Sequence, residues 1–230
     1  MESRKEQVPF GNDNLLPPDL RDAFLARARS SRIRSRQSVI AEGGSATDVY
    51  LIQAGKVRIS RFSDGGRETI LRDLGPGEIF GEMAALDRAP RSASVSAIEE
   101  TLLARLRADE FLAFLGEVPL AGLWMARQLA ARVRDLTDKT SDLATLPVAG
   151  RVQRELLRLA HETGDARDTV VIQPMPTHAE IAARIGTHRE AVTRELNLLA
   201  REGILRQEGR RAEILSVGKL RALYDRIGRS

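Results

Sequence analysis

The sequence has no cysteine and only three histidines among its 230 residues. Without cysteine the chain has no disulfide, no thiolate zinc site, no iron–sulfur cluster and no catalytic thiol. The histidines His161, His178 and His188 lie in the last third of the chain, at a spacing that fits no common local zinc pattern. We therefore expect no metal site. A haem or metal sensor in the first half would lack both thiolate and imidazole ligands.

Long apolar runs are also absent. No segment approaches the roughly 20 apolar residues of a membrane-spanning helix, and the first residues lack the apolar run of a signal peptide. The composition, 42% hydrophobic and 30% charged, is ordinary for a protein with packed cores. We therefore expect a cytoplasmic protein with no membrane partner.

The excess of positive charge is confined to the C-terminal third. The chain carries a formal net charge of +4 at pH 7, and residues 147–230 hold 15 Lys and Arg against 11 Asp and Glu. Residues 1–146 are electrically balanced. A polyanion such as the DNA backbone is expected to dock where the excess lies.

A short helix is predicted over residues 19–29, followed by brief apolar runs that are separated by glycines. The predicted strands are Ser38–Ile40, Val49–Ile52, Val57–Phe62, Thr69–Leu74, Val95–Ile98 and Leu102–Leu106. Asp64-Gly65-Gly66 predicts a tight hairpin turn, because glycine tolerates positive φ. Short β-rich runs at this spacing indicate an antiparallel barrel or roll.

Residues 80–97 combine a glycine-backed carboxylate, Gly81 and Glu82, with an arginine followed by a small hydroxyl residue, Arg91 and Ser92. Backbone N–H groups at the start of the short helix predicted here would point at an anion. Arg91 would add a charge-assisted partner for that anion, and Glu82 could accept a hydrogen bond from a sugar hydroxyl. The pattern predicts a site for a molecule with a ribose and one phosphate. The alternative is a turn with a surface Arg–Glu pair.

A long helix is predicted from Pro119 to about Leu146, where Pro147 stops it. Its seam positions recur at alternating steps of three and four, which is the a/d pattern of a coiled coil. These positions are Ala126, Leu129, Val133, Leu136, Thr140 and Leu143. A helix of this length with such a seam favours pairing with its twin in a homodimer. The alternative is a single amphipathic helix that lies on its own barrel.

The last third of the chain predicts two short helices joined through Gly186. Thr177 with Glu180, and Thr187 with Glu190, each form the Thr-x-x-Glu capping box that opens a helix. Two helices joined in this way, the second with a polar outer face, are the helix-turn-helix plan. Residues 204–215 then predict a hairpin wing that can contact phosphate.

The polar face of the second helix carries side chains that suit DNA. Arginine can bind guanine with two hydrogen bonds and glutamate can accept from the cytosine amino group. Such contacts are expected from the N-terminal half of the helix. The candidate DNA-contacting residues are Thr177, His188, Arg189, Glu190, Thr193, Arg194 and Asn197. The alternative is a helix face that is merely solvated.

Residues 80–97 closely resemble the phosphate-binding cassette of cyclic-nucleotide-binding domains. Residues 189–194, Arg-Glu-Ala-Val-Thr-Arg, are similar to the recognition helix of the cyclic AMP receptor protein/FNR (CRP/FNR) family of transcription regulators. The likeness covers about residues 33–215, with both domains in the family's order. It implies an α+β fold with three parts. These are an N-terminal double-stranded β-helix (jelly-roll) cyclic-nucleotide-binding domain at 19–116, a long dimerisation helix at 117–146, and a C-terminal winged helix-turn-helix DNA-binding domain at 147–230.

The resemblance also implies what individual residues do. Glu82 would bind the ribose 2′-hydroxyl, and Arg91 would pair with the exocyclic phosphate, supported by Ser92 and the backbone of Gly81. Arg132 matches an arginine that lies near the ligand. The implied nucleotide-binding set is Gly81, Glu82, Met83, Ala84, Arg91, Ser92, Arg132, Leu136 and Thr137.

The identity of the nucleotide depends on the end of the site that meets the base. Where the cyclic AMP-binding pattern has two consecutive hydroxyl residues, this chain has Leu136 and Thr137, so one hydrogen bond to adenine is lost. Ser92 could hydrogen-bond a guanine in the syn form. Cyclic AMP is the expected effector and cyclic GMP is the rival. A third possibility is a family member that binds DNA constitutively or senses another effector.

The family likeness implies a homodimer that binds double-stranded DNA at a palindromic operator with half-sites similar to TGTGA. RNA polymerase is the expected downstream partner. The opposing hypothesis is a cyclic-nucleotide-controlled enzyme. The sequence shows no nucleophile–base set, metal cluster or glycine-rich triphosphate loop. We therefore expect a regulator with an effector ligand and no cofactor, and not an enzyme.

Overall fold

The computed structural model describes residues 15–227 of the chain. Its contacts divide it into two compact units, described here over residues 15–132 and 133–227. Within the described residues, no helix is long and apolar enough to cross a membrane.

The first unit is mostly β-structure. Its elements in chain order are α1 (Pro18–Leu25), β1 (Arg29–Ile33), β2 (Ser38–Ile40), β3 (Val49–Ala54), β4 (Val57–Phe62), β5 (Glu68–Leu74), β6 (Ile79–Phe80), α2 (Glu82–Asp87), β7 (Ser94–Ala97), β8 (Thr101–Leu106) and α3 (Ala108–Glu117). The long helix α4 (Ala121–Thr145) begins in this unit and ends in the second.

Two four-stranded antiparallel sheets form the body of this unit. One has the strand order β1-β8-β3-β6 and the other β2-β7-β4-β5. The hairpin of β4 and β5 pairs Val57 with Leu74 at its base and Phe62 with Glu68 at its tip, where Gly66 has a φ of 74°. The antiparallel roll and this glycine turn are confirmed.

The core of the first unit is aliphatic between the sheets and aromatic beneath the helices. Phe24 of α1 meets Phe114 of α3 edge-on at 5.7 Å between ring centroids, and Phe111 stacks on Phe114 at 6.2 Å. All three rings are fully buried. Edge-to-face and offset aromatic pairs add to the free energy of burial, so these rings hold α1 and α3 against the roll.

The predicted helix over residues 19–29 is wrong in its second half. The helix ends at Leu25, and Arg29–Ile33 forms an edge strand that pairs antiparallel with β8. Four of its five residues are exposed, so the strand lacks the apolar alternation that identifies a half-buried strand. Backbone pairing with β8 determines its conformation.

The second unit follows the end of α4. Its elements are α5 (Val148–Glu162), β9 (Val170–Ile172), α6 (His178–Ile185), α7 (Arg189–Arg201), β10 (Leu205–Glu208), β11 (Arg211–Ile214) and α8 (Val217–Ile227). The three strands form one antiparallel sheet in the order β10-β11-β9. The predicted wing is therefore present, with β9 as its third strand.

A single apolar core joins the helices of this unit to the sheet. Val152 and Leu156 of α5, Ile181 of α6, and Val192 and Leu196 of α7 are all essentially inaccessible to solvent. The amphipathic pattern of α5 and α7 explains which faces they bury. Helix α8, which sequence reasoning missed, covers the same core with Leu220.

Replacement of Phe111 by Ala should lower the free energy of unfolding by about 3–5 kcal/mol, because it removes a fully buried ring from the first unit. The matched control is the neighbouring Leu112→Ala, since 38% of the Leu112 surface remains exposed. Its loss should stay below about 1 kcal/mol. Urea denaturation followed by circular dichroism measures both. Equal losses would contradict the packing described.

Candidate functional site

The candidate anion site lies at the start of the short helix α2. Gly81 caps this helix in the left-handed region, with a φ of 84°. A Cβ atom at this position would lie 2.8 Å from the carbonyl oxygen of Asp48 and 2.9 Å from Nη1 of Arg91. Glycine is therefore required here both for its backbone conformation and for the close approach of Arg91.

The guanidinium of Arg91 is buried against backbone carbonyl groups. Nη1 donates a hydrogen bond to the oxygen of Gly81 at 2.7 Å, and Nη2 donates to the oxygen of Asp48 at 2.7 Å. The residue is only 5% exposed, and its Nε is buried without a hydrogen-bond partner among residues 15–227. The backbone of Arg91 is also held, since it exchanges hydrogen bonds with Gly43 and Gly44.

This buried cation forms no ion pair with a carboxylate among the described residues. Burial lowers the pKa of the Arg91 guanidinium, against the opposite effects of Tyr50, Asp48 and Glu82. Carbonyl groups stabilise a guanidinium by hydrogen bonding but do not neutralise its charge. A bound anion would supply both the missing charge and an acceptor.

Glu82, the first residue of α2, has a different partner. Glu82 is 2% exposed, and its carboxylate forms an ion pair with Nη1 of Arg132 on α4. Nη2 of Arg132 also donates to the carbonyl oxygen of Ile79 at 3.3 Å. Glu82, which the resemblance assigns to the ribose, and Arg132, which it places near the ligand, therefore lie together. The ion pair leaves Glu82 Oε2 as a further acceptor.

The other predicted nucleotide-binding residues fall into two groups. Met83 and Ala84 lie on the first turn of α2, and the hydroxyl of Ser92 contacts the sulfur of Met83 at 3.8 Å. Leu136 and Thr137 belong to the second unit, where both side chains are exposed. The hydroxyl of Thr137 donates to its own helix at Val133.

Sequence reasoning missed the groups that orient Arg91. Asp48 contributes a backbone carbonyl, and Gly43 and Gly44 contribute backbone hydrogen bonds. Tyr50 stacks on Phe80 with 5.0 Å between ring centroids, and burial raises the pKa of its phenol. Backbone acceptors leave no mark on residue type, so no sequence pattern could have identified Asp48.

In the second unit, the first predicted capping box is present. The hydroxyl of Thr177 accepts a hydrogen bond from the backbone N–H of Glu180, whose carboxylate accepts from the N–H of Thr177. These reciprocal bonds fix the start of α6. Gly186 ends the helix in the left-handed region, with a φ of 65°.

The second predicted capping box is wrong. Helix α7 begins at Arg189, so its N-cap is His188, one residue after Thr187, and within the described residues the N-cap makes no side-chain capping bond. Thr187 is buried, with its backbone N–H bonded to the oxygen of Ala182. The Thr-x-x-Glu spacing requires threonine at the N-cap itself, so Glu190 falls one position short of the place that a capping box needs.

The outer face of α7 is polar, as predicted. His188, Arg189, Glu190, Arg194 and Asn197 are exposed, and Thr193 is half-buried. On the opposite face, Glu195 is buried and accepts a hydrogen bond from the side-chain amide of Gln153 at 2.8 Å. This bond and the apolar core fix α7 on α5, so that the exposed side chains project from a rigid support.

One further contact joins α7 to α6, and another lies at the wing. Nδ1 of His178, on α6, lies 2.8 Å from the hydroxyl of Thr193 on α7. At the wing, Nε of Arg210 donates to the carbonyl oxygen of Met175 at 3.3 Å. His178 was not among the predicted DNA-contacting residues.

Among the described residues, no group of three or more His, Asp or Glu side chains could hold a metal ion.

Two protein families match this chain. The cyclic nucleotide-binding domain family matches residues 31–117, and the Crp-like helix-turn-helix domain family matches residues 150–223. The first range contains Gly81, Glu82 and Arg91, and the second contains α6 and α7.

Named relatives and solved structures agree with these matches. The chain is 36% identical to the cyclic AMP receptor protein of Thermus thermophilus, over 83% of this chain and 86% of that protein. It is 33% identical to the CRP-like cAMP-activated global transcriptional regulator of Mycobacterium tuberculosis, over 75% and 78% of the two chains. The solved structure of the c-di-GMP responsive global regulator CLP of Xanthomonas campestris is similar with a TM-score of 0.74, 26% identity, and coverage of 86% and 99%.

Replacement of Gly81 by Ala should destabilise the protein more than Gly66→Ala does. Both glycines have left-handed φ values, of 84° and 74°, so alanine costs about 1–2 kcal/mol at either position. A Cβ atom at Gly66 meets nothing within 4 Å, whereas one at Gly81 clashes with Asp48 and Arg91. The total for Gly81→Ala should reach about 2–5 kcal/mol. Denaturant unfolding measures both variants, and equal losses would contradict the close approach of Arg91.

Proposed function

We propose that this chain, which belongs to the CRP/FNR family of transcription regulators, forms a homodimer. The dimer binds a palindromic operator when cyclic AMP occupies the first unit of each protomer. Members of this family are DNA-binding regulators, and the chain carries their cyclic-nucleotide-binding and helix-turn-helix domains. The effector, the dimer and the operator are the parts that the proposal adds.

The buried guanidinium of Arg91 carries the proposal. Within the part of the chain that the structure describes, it is a cation whose Nε has no hydrogen-bond partner and which forms no ion pair with a carboxylate. The cyclic phosphate is a compact monoanion, so it can neutralise Arg91 without the cost of burying an isolated charge. Glu82, already paired with Arg132, would accept the ribose 2′-hydroxyl through its remaining oxygen.

Cyclic AMP is favoured over its rivals by the relatives. The named relatives of Thermus thermophilus and Mycobacterium tuberculosis are a cyclic AMP receptor protein and a cAMP-activated regulator. Leu136 in place of a hydroxyl residue weakens the preference for adenine, and Ser92 offers a bond to syn guanine. Cyclic GMP is therefore the second candidate. The c-di-GMP responsive neighbour makes c-di-GMP a third ligand to be tested.

The seam of α4 supports a homodimer. Val133 is 62% exposed, Leu136 59% and Leu143 56%. Aliphatic side chains that repeat along one helical face, with this much surface left open, are typical of a coiled-coil partner face. A second copy of the same helix has the complementary seam.

DNA binding would place α7 in the major groove. Arg189 and Arg194 suit guanine and Glu190 suits the cytosine amino group, which fits half-sites similar to TGTGA. Two recognition helices in a dimer would contact successive major grooves about 34 Å apart. The basic excess of residues 147–230 would add contacts with phosphate, and RNA polymerase is the expected partner at a promoter.

Control by the nucleotide requires a difference in affinity. Cyclic AMP would shift the dimer toward its DNA-binding state only to the extent that it binds that state more tightly. By reciprocity, operator DNA should tighten nucleotide binding by the same factor.

Arg91→Gln should weaken cyclic nucleotide binding about 10- to 150-fold, because a charge-assisted hydrogen bond contributes about 1.5–3 kcal/mol. The control is Arg105→Gln, since Arg105 is an exposed arginine on a neighbouring strand that contacts the Asp48 carboxylate at 3.5 Å. It should bind as the wild type does. Isothermal titration with cyclic AMP, cyclic GMP and c-di-GMP in separate runs measures affinity and effector choice. Unchanged binding by Arg91→Gln would contradict the site.

Val133→Glu should convert the dimer to a monomer. Val133 is a seam position, so two glutamates would meet at the dimer axis as buried like charges. We expect the dimer dissociation constant to rise at least about 100-fold. Arg134→Glu, one residue away on the outer face, should remain dimeric. Sedimentation equilibrium measures both, and a wild-type monomer at all concentrations would refute the homodimer.

Arg189→Ala should leave cyclic AMP affinity within twofold but weaken operator binding by about 1–3 kcal/mol. Arg221→Ala on α8 is the charge-matched control, which should lose little. Fluorescence anisotropy with a palindromic TGTGA duplex, at saturating cyclic AMP and fixed salt, measures the difference. Equal losses from both variants would indicate non-specific attraction in place of base recognition.

A further inference from the structure

A chain of hydrogen bonds links the two helices of the helix-turn-helix. Nδ1 of His178, in the first turn of α6, lies 2.8 Å from Oγ1 of Thr193. The same hydroxyl donates to the backbone oxygen of Arg189 at 3.0 Å, four residues earlier on α7. One imidazole therefore binds the side chain that lies one turn after Arg189 on the recognition helix.

One arrangement of protons makes both contacts hydrogen bonds. A threonine hydroxyl has one proton, and the Arg189 carbonyl can only accept, so in this arrangement Thr193 donates to Arg189 and His178 donates to Thr193 from Nδ1. The Nδ1–H tautomer of His178 is assigned from this hydrogen-bond network. Oγ1 of Thr193 then both donates and accepts, with one acceptor lone pair remaining.

The occupied hydroxyl changes what Thr193 can offer to DNA. Threonine in a helix populates two χ1 rotamers, because its Oγ1 can bond the carbonyl of an earlier turn in one of them. The bond from His178 selects that rotamer. With Oγ1 held in this way, the γ-methyl group is the part of the side chain that makes no hydrogen bond. Thr193 shares a helical face with Arg189 and Asn197, which lie four residues before and after it.

We propose that His178 is a positioning residue that holds Thr193 so that its γ-methyl group reads the 5-methyl group of one thymine in each half-site. The inference rests on the proposed DNA-binding function and deepens it, because it assigns a base preference to a residue pair. Contact between a threonine methyl and the thymine methyl is an established form of readout in the major groove. The sequence pattern alone suggested Thr193 as a hydrogen-bonding residue.

The test replaces each thymine of a palindromic TGTGA duplex, one at a time and in both half-sites together, by deoxyuridine, which lacks only the 5-methyl group. With cyclic AMP present, one such replacement should weaken wild-type binding about fourfold per half-site, the effect of losing one methyl contact. Thr193→Ser keeps the hydroxyl and loses the methyl, so it should bind the thymine and deoxyuridine duplexes with equal affinity. Thr193→Val keeps methyl groups, so the logarithm of its affinity ratio for thymine over deoxyuridine should be at least half of the wild-type value.

Variants of His178 test the positioning role. His178→Leu should reduce discrimination between thymine and deoxyuridine to below twofold, because Thr193 regains its second rotamer. His178→Asn can still donate from its amide and should restore the discrimination. The control His161→Asn, on α5, should behave as the wild type does. If His178→Asn restores the discrimination, the hydrogen bond to Thr193 is what matters, because a merely structural role of the imidazole ring would not be replaced by asparagine.

Nitrogen-15 NMR of the protein without DNA tests the tautomer of His178 independently of any DNA-binding measurement. The His178 ring should show the Nδ1–H tautomer at pH 8, and Thr193→Val should restore the ordinary mixture of tautomers. An Nε2–H tautomer in the wild type would overturn the proposal. The proposal would also be overturned if Thr193→Ser still bound the deoxyuridine duplex as much more weakly than the thymine duplex as the wild type does. A wild type that binds its operator but loses no affinity when any thymine is replaced would overturn it too. A wild type that binds no operator at all would overturn the proposed function itself.

Discussion

The burial of the Arg91 guanidinium beside two carbonyl oxygens is the constraint on which the first unit's site depends. The contacts to Gly81 and Asp48 are both 2.7 Å, and they require that no Cβ atom stands at position 81. They hold the cation in place without neutralising it. In a low-dielectric environment an uncompensated charge is expensive, so binding of an anion here would be favourable, which is the physical argument for the proposed ligand. The same feature accounts for the glycine and for the proposed ligand.

Glu82 and Arg132 connect this site to the long helix. Arg132 lies on α4, and its bond to Glu82 joins that helix to the first turn of α2. A ribose that donates to Glu82 would therefore act on a carboxylate that α4 also holds. This gives a physical route by which a ligand could bias the helix. In the second unit, the buried bond between Gln153 and Glu195 and the contact between His178 and Thr193 fix the recognition helix from opposite sides.

The periodic apolar residues of the sequence, and its turn and capping residues, predicted several local structures correctly. The strands with alternating apolar residues, the Thr177–Glu180 capping box and the glycine turn at Gly66 follow from local chemistry, and the structure contains them. The edge strand Arg29–Ile33 did not follow, because its polar residues gain their conformation from pairing with β8. The predicted box at Thr187 is wrong because α7 takes His188 as its N-cap, and Thr187 is buried outside the helix. In the candidate site, residue types predicted Gly81, Glu82 and Arg91, and the structure brings Gly81 and Arg91 into contact. The carbonyl of Asp48 could not be predicted, because every residue has one.

The Nε–H resonance of Arg91 in a proton–nitrogen NMR spectrum provides the most direct measurement of the central claim, with Arg91→Lys used to assign it. This group is buried without a hydrogen-bond partner among the residues that the structure describes. If the guanidinium receives the cyclic phosphate, saturating cyclic AMP should move the resonance downfield and slow its exchange with water. A resonance that stays unchanged while the protein is saturated with nucleotide would contradict the account.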